Sequence, residues 1–269
     1  MEKESDLKLL SKIKNELKER SYTEVQFNLP KEELNKAATA FLEFLKLPEE
    51  LKEKIYFQIV PNNRGYKVGY EKTQREYGDT DNKELFQYNE YAEEAFKELI
   101  DTKKEIAEFF KSTRKIYEEA KSVMDTIIKL FDKEFPGLHK KFFPEDTKPY
   151  FYLRFLKYNA TNKGNFLAKG HYDRGSCTLA LAESAPGLRI GKNDINLSEV
   201  KHKEKTAFFI LGINFKKITS EELLPSWHDV VQKSEDCYSK EIARWAIVFF
   251  ADPVGINNDT YEEAHTPIK

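Results

Sequence analysis

Cysteine is nearly absent from this chain. Cys177 and Cys237 are the only two, and they show no scaffold spacing, which suits a reducing cytoplasm. Long hydrophobic runs are missing as well. No stretch approaches the roughly 20 apolar residues of a membrane helix, and Met1-Glu2-Lys3-Glu4-Ser5-Asp6 has no apolar core of a signal peptide. An excess of either charge is also lacking. The 44 Lys and Arg face 46 Asp and Glu, for a net charge of -2, so neither nucleic acid nor an anionic membrane is expected as a partner. Internal repeats and low-complexity linkers are absent, and the expected state is a monomer or weak oligomer. Histidine is scarce too, with five residues, so any metal site has few candidate ligands.

What is present is an ordinary globular composition. The 269 residues are 40% hydrophobic and 33% charged, enough for one large domain or two small ones. Apolar residues at helical spacing predict helices over 5–20, 32–45 and 100–135, the last stopped by Pro136-Gly137. A short helix is expected at Leu47-Pro48-Glu49-Glu50-Leu51-Lys52, and a strand at 22–27. The stretch from the loop at 61–66 to Tyr91 reads as polar and tyrosine-rich. After Pro149 the character changes. Residues 150–158, 177–181, 188–190, 206–211 and 244–250 are apolar, β-prone and separated by Gly, Pro and Asn. Short strands of this kind suggest a jelly roll. The expected fold is α+β: a double-stranded β-helix core with a mostly helical N-terminal region packed around it.

Within that core, His171-Tyr172-Asp173 places an imidazole and a carboxylate two residues apart. On a strand, such side chains share a face. One more histidine would complete a set able to hold ferrous iron on one octahedral face, with positions left open. His139 follows the helix stop, His202 lies in the charged run Lys201-His202-Lys203-Glu204-Lys205, which reads as a solvated turn, and His265 falls in the polar tail. His228, 55 residues beyond Asp173, is the best remaining partner by elimination and spacing. Taken alone, an H-x-D pair and a later histidine are more often unrelated residues.

The wider pattern adds weight. The segment Arg244-Trp245-Ala246-Ile247-Val248-Phe249-Phe250-Ala251-Asp252-Pro253 follows His228, Leu153-Arg154-Phe155-Leu156-Lys157-Tyr158 precedes the tripeptide, and Gly175, Thr178, Leu179, Leu181 and Pro186-Gly187-Leu188 continue it. Leu47-Pro48-Glu49-Glu50-Leu51-Lys52, Arg64-Gly65-Tyr66 and Asp81-Asn82-Lys83-Glu84-Leu85-Phe86 come earlier in matching order. Over roughly residues 20 to 255 the chain resembles the iron(II)/2-oxoglutarate-dependent oxygenases of the isopenicillin N synthase-like group.

That resemblance implies an N-terminal helical region at 1–148, a dioxygenase jelly-roll core at 149–255 and a C-terminal tail at 256–269 whose covering helix is short or missing. It implies an oxidoreductase in which His171, Asp173 and His228 bind Fe(II), and Arg244 and Tyr158 hold 2-oxoglutarate. Oxidative decarboxylation of that co-substrate, with O2, would be coupled to oxidation of a small organic molecule, stimulated by ascorbate. Arg64, Tyr66 and Tyr172 are candidate substrate contacts. Departures from the family pattern lie beside the metal set. Ala246 replaces the serine of R-x-S, Leu156 replaces an asparagine, and 232–240 is an insertion. They leave open an oxidase on the same scaffold without 2-oxoglutarate, or a non-catalytic jelly roll that binds a metal or small acid.

Overall fold

The computed structural model describes residues 2–59, 67–73, 82–220, 222–233, 238–239, 241–256 and 261–268. In chain order the strands are β1 (Thr23–Gln26), β2 (Gln58–Ile59), β3 (Lys67–Thr73), β4 (Lys83–Tyr88), β5 (Tyr150–Asn159), β6 (Phe166–His171) and β7 (Cys177–Glu183). They continue as β8 (Leu188–Gly191), β9 (Leu197–Glu199), β10 (Thr206–Leu211), β11 (Trp227–Val231) and β12 (Ile242–Asp252). The helices are α1 (Glu2–Arg20), α2 (Lys31–Phe44), α3 (Glu49–Glu53), α4 (Ala92–Ala95), α5 (Lys97–Thr102), α6 (Lys104–Asp132), α7 (Leu138–Phe142), α8 (Ile213–Ile218) and α9 (Tyr261–His265). Among these residues, no helix is long and apolar enough to cross a membrane.

Two antiparallel sheets result. The larger runs β1-β10-β7-β12-β5-β4-β3-β2 and the smaller β6-β11-β8-β9. Alternation along the strands divides their side chains into two layers. Phe151, Leu153 and Phe155 of β5 and Trp245, Ile247 and Phe249 of β12 face outward into the main core. There they meet α2 and α6: Phe109 of α6 packs edge-on to Phe155 at 5.3 Å between centroids, and Tyr117 meets Phe249 at 5.5 Å. Leu156 and Tyr158 of β5 and Ala246 of β12 face inward against Leu167, Ile190 and Val230 of the smaller sheet. Two facing sheets with helices on one outer side are the α+β jelly roll that the alternating segments predicted.

The helix α6 forms where the longest helical periodicity lies, with Ile106, Phe109, Phe110, Ile116, Tyr117, Ala120, Met124, Ile127, Ile128 and Phe131 buried on one face. It stops before Gly137, whose φ of 87° suits a residue without Cβ. The polar stretch up to Tyr91 is assigned no element from the sequence. It contains β3 and β4, which extend the larger sheet beyond β5. Buried Glu84 obscures the strand pattern, and it is satisfied by Tyr70 Oη at 2.8 Å and Lys157 Nζ at 2.6 Å. The N-terminal region therefore supplies β1 to β4 as well as helices, and the main core runs from Leu10 to Ala251.

One irregularity bears on the site. Along β7 and β12, Val248 lies opposite Ala180, but Ile247 lies opposite Ala182 and Ala246 opposite Glu183. The extra residue, Leu181, is a bulge that reverses the facing of Ala182 and Glu183. Glu183 thereby joins Thr178 and Ala180 on the inner face instead of pointing outward.

Candidate metal centre and its cavity

His171 is the last residue of β6 and lies directly opposite His228 of β11 in the antiparallel register. Their ring centroids are 4.3 Å apart. Asp173 sits just past the strand end, held by backbone contacts to the start of α8. Ile213 N–H donates to Asp173 O at 2.8 Å, Asn214 N–H to Gly175 O at 3.0 Å and Gly212 N–H to Ser176 O at 2.8 Å. The chains approach so closely that a Cβ at Gly212 would lie 2.2 Å from Gly175 O. Asp252, at the end of β12, accepts from Ser176 N–H at 2.6 Å and secures the same turn. On the far side, Arg189 of β8 grips Asp229 of β11 with bonds of 2.7 and 2.6 Å, which fixes the strand carrying His228.

The hydrogen bonds set the tautomers. His171 Nδ1–H donates to Lys169 O at 2.8 Å and His228 Nδ1–H to Ser226 O at 3.2 Å. Each ring therefore presents its Nε2 lone pair, and these atoms lie 3.9 Å and 3.7 Å from Asp173 Oδ1. The other carboxylate oxygen, Oδ2, accepts from Thr178 Oγ1 at 2.6 Å. Burial, with the neighbouring His228, holds the His171 imidazole down to about 4, so it is neutral at neutral pH and free to donate electrons to a metal. One potential ligand atom from each of His171, Asp173 and His228 lies within 4.8 Å of the other two. Two imidazoles and one carboxylate on one side of a cavity fit a ferrous ion with open positions.

The cavity next to this trio encloses about 100 Å³ between the two sheets. Tyr158 and Arg244 both line it, opposite one another in the β5–β12 register. Arg244 is 2% exposed. Its Nη2 donates to Glu183, while Nε and Nη1 are buried with no hydrogen-bond partner among the described residues. Burial alone would push the Glu183 carboxyl up, but Arg244 and His202 outweigh it and hold it below the usual range. His202 Nε2–H donates to Ala180 O at 2.9 Å, which leaves Nδ1 3.4 Å from Glu183 Oε1. Two buried, unpartnered guanidinium nitrogens beside a metal trio fit an anionic co-substrate. Glu183 restricts that fit to part of the guanidinium.

Several expectations change. His202 is not in a solvated turn, because its ring lies against Phe208 and lines the cavity. Tyr172 is not a cavity residue. It alternates away from its neighbours into a small cluster with Trp227, at 4.9 Å between centroids, and its hydroxyl donates to Lys192 O and accepts from Ile268 N–H. Arg64 and Tyr66 lie outside the described residues. Arg154, a half-buried residue of β5, lines the cavity, lies 5.0 Å over the Phe250 ring and donates to Gln87 Oε1 at 2.7 Å. His265 of α9 also joins the site, stacked on the His171 ring at 5.7 Å.

No family model and no curated protein matches the sequence. Solved structures do match. A full-length Neurospora crassa protein in complex with alpha-KG superposes with a TM-score of 0.71 at 17% identity, over 97% of this chain and 86% of its own. A 2OG-Fe(II) oxygenase family protein of Caulobacter crescentus gives 0.70 at 16%, over 97% and 89%. The dioxygenase for auxin oxidation 1 of Arabidopsis thaliana, in its 2-oxoglutarate complex, gives 0.69 at 14%, over 96% of each chain. The chain has the fold of these oxygenases. At such identities the match concerns fold alone, and chemistry must be argued from the site.

Proposed function

We propose that this protein is a non-haem iron(II) oxygenase that couples oxidative decarboxylation of 2-oxoglutarate to oxidation of a small organic substrate. The observation that carries the reading is the trio His171, Asp173 and His228, with both Nε2 atoms directed at one carboxylate and a cavity opening beside them. Iron held there supplies oxygen activation and redox chemistry that no side chain of the cavity can provide. Lys169 O and Ser226 O orient the imidazoles, and Thr178 holds the outer oxygen of Asp173. Arg244 offers charge to the co-substrate's distal carboxylate, and Tyr158 shapes the wall beside it. Within the wider fold, the order of motifs supports the isopenicillin N synthase-like group.

The test is release of succinate from 2-oxoglutarate by the purified chain with Fe(II) and ascorbate under air, across a panel of small substrates. Turnover that disappears in His171→Ala and Asp173→Ala supports the reading. Full activity in either variant would refute the site assignment. The Arg244–Glu183 pair also favours a second reading, an oxidase that takes all electrons from its substrate. Substrate-dependent oxygen uptake without succinate would establish that one instead.

A further inference from the structure

A guanidinium holds a carboxylate through two forks, one made of Nε with Nη2 and the other of Nη1 with Nη2. Both forks need Nη2. In this chain one of the two Nη2 hydrogens of Arg244 is taken by Glu183, whose side chain is 7% exposed, while Nε and Nη1 have no partner among the described residues. At most one complete fork is therefore left for another carboxylate, on a guanidinium whose charge Glu183 already balances. The local backbone puts Glu183 there: the bulge at Leu181 turns it inward, directly opposite Ala246. Position 246 itself has only a methyl group, so β12 adds no hydroxyl to replace the lost bond. His202 supports the arrangement from the other side, 3.4 Å from Glu183 Oε1.

We propose that Glu183 is a specificity-determining residue for the 2-oxo acid. It competes with the distal carboxylate of the co-substrate for Arg244, so the natural chain binds 2-oxoglutarate weakly and discriminates little against 2-oxo acids with uncharged tails. The inference rests on the oxygenase reading of the site. Two physical effects act together. A second carboxylate near Glu183 meets a like charge, and it finds one guanidinium fork in place of two, with the shared Nη2 already engaged. Of the cavity's other cations, Arg154 is bonded to Gln87, and Lys83 lies opposite Tyr158 at the start of β4, two strands from Arg244. Removing the negative charge at Glu183 would lift the like-charge repulsion and leave the Arg244 charge to an incoming dicarboxylate.

The probes are 2-oxoglutarate and 2-oxopentanoate, which share five carbons and differ only in the distal carboxylate. Binding of each to Mn(II)-loaded protein is measured by calorimetry, with Mn(II) stoichiometry and melting temperature recorded for every variant. In the natural chain the two dissociation constants are expected within about threefold of each other, since Glu183 already balances the Arg244 charge and repels the distal carboxylate, offsetting the tenfold or more that a charged hydrogen bond is worth. Glu183→Gln should tighten 2-oxoglutarate about tenfold or more and leave 2-oxopentanoate unchanged. Glu183→Asp, one methylene shorter with the charge kept, should fall between them; it also carries the test if Glu183→Gln does not fold. A natural chain that prefers 2-oxoglutarate strongly, with no gain in either variant, would overturn the role of Glu183 and leave the oxygenase reading intact. Failure of both acids to bind any Mn(II)-loaded form would instead bring down the 2-oxo acid reading, and this inference with it.

Discussion

His171 and His228 face each other across adjacent antiparallel strands, and each donates Nδ1–H to a carbonyl of its own chain segment two residues back. That arrangement leaves two Nε2 lone pairs and the Asp173 carboxylate to meet at one point. A metal bound there should need all three. The natural chain is expected to hold one Mn(II) or Fe(II), and His171→Ala, Asp173→Ala or His228→Ala should each lose it while keeping the fold. Metal analysis after equilibrium dialysis checks this, with circular dichroism as the folding control. Retention of a full equivalent by any of the three would move the site elsewhere.

Thr178 should tune how tightly the metal is held. Its hydroxyl donates to Asp173 Oδ2 at 2.6 Å and is itself buried. Thr178→Val keeps the shape and removes the donor, freeing the carboxylate to rotate. Loss of such a supporting bond costs about ten- to a hundredfold in metal affinity. A competitive titration against a fluorescent chelator measures it, and an unchanged affinity would show that the backbone of the Asp173 turn alone fixes the ligand.

The metal trio was legible in the sequence because scarce histidines and simple spacing narrowed the candidates and the wider order of motifs resembled a known family. So were α6 and the outward-facing aromatics of β5 and β12, where period and hydrophobicity agree. Other features were hidden for specific reasons. β3 and β4 carry Glu84 and other polar residues whose partners come from distant strands, so their burial has no local signature. Glu183 sits at an odd position that simple alternation assigns to the outside, and only the bulge at Leu181 turns it inward. His202 lies among lysines and looks solvated, yet a single bond to Ala180 O draws its ring into the cavity. His265 looked like tail, and its place on the His171 ring follows from Tyr172 N–H donating to Ala264 O at 2.8 Å.

Acid should loosen the metal-free protein. The folded pKa of His171 is depressed to about 4 from an ordinary 6.5, so between these values the unfolded chain binds the extra proton and the folded one resists it. Stability from this group is complete above about 6.5 and is lost as pH falls toward 4. Melting temperature recorded from pH 7 to 4 should decline through that window, and His171→Gln should flatten the decline. Metal affinity should fall in the same range, because protons compete for Nε2. A His171→Gln curve that follows the natural chain would assign the acid sensitivity to other groups.

Gly212 carries no ligand atom, yet the metal site should depend on it. Its φ is -90°, so its conformation alone does not demand glycine. Its surroundings do. An added Cβ would meet Gly175 O at 2.2 Å and Asp173 O at 2.8 Å. Gly212→Ala must therefore push the α8 start away from the turn that carries Asp173, weakening the bonds from Gly212, Ile213 and Asn214 N–H. Overpacking of this kind costs about 1–3 kcal/mol, which urea unfolding would detect. The same shift should displace the carboxylate, so metal affinity should fall in parallel although no ligand has changed. A destabilised variant with intact metal affinity would show that Thr178 and the strand end position Asp173 without help from α8.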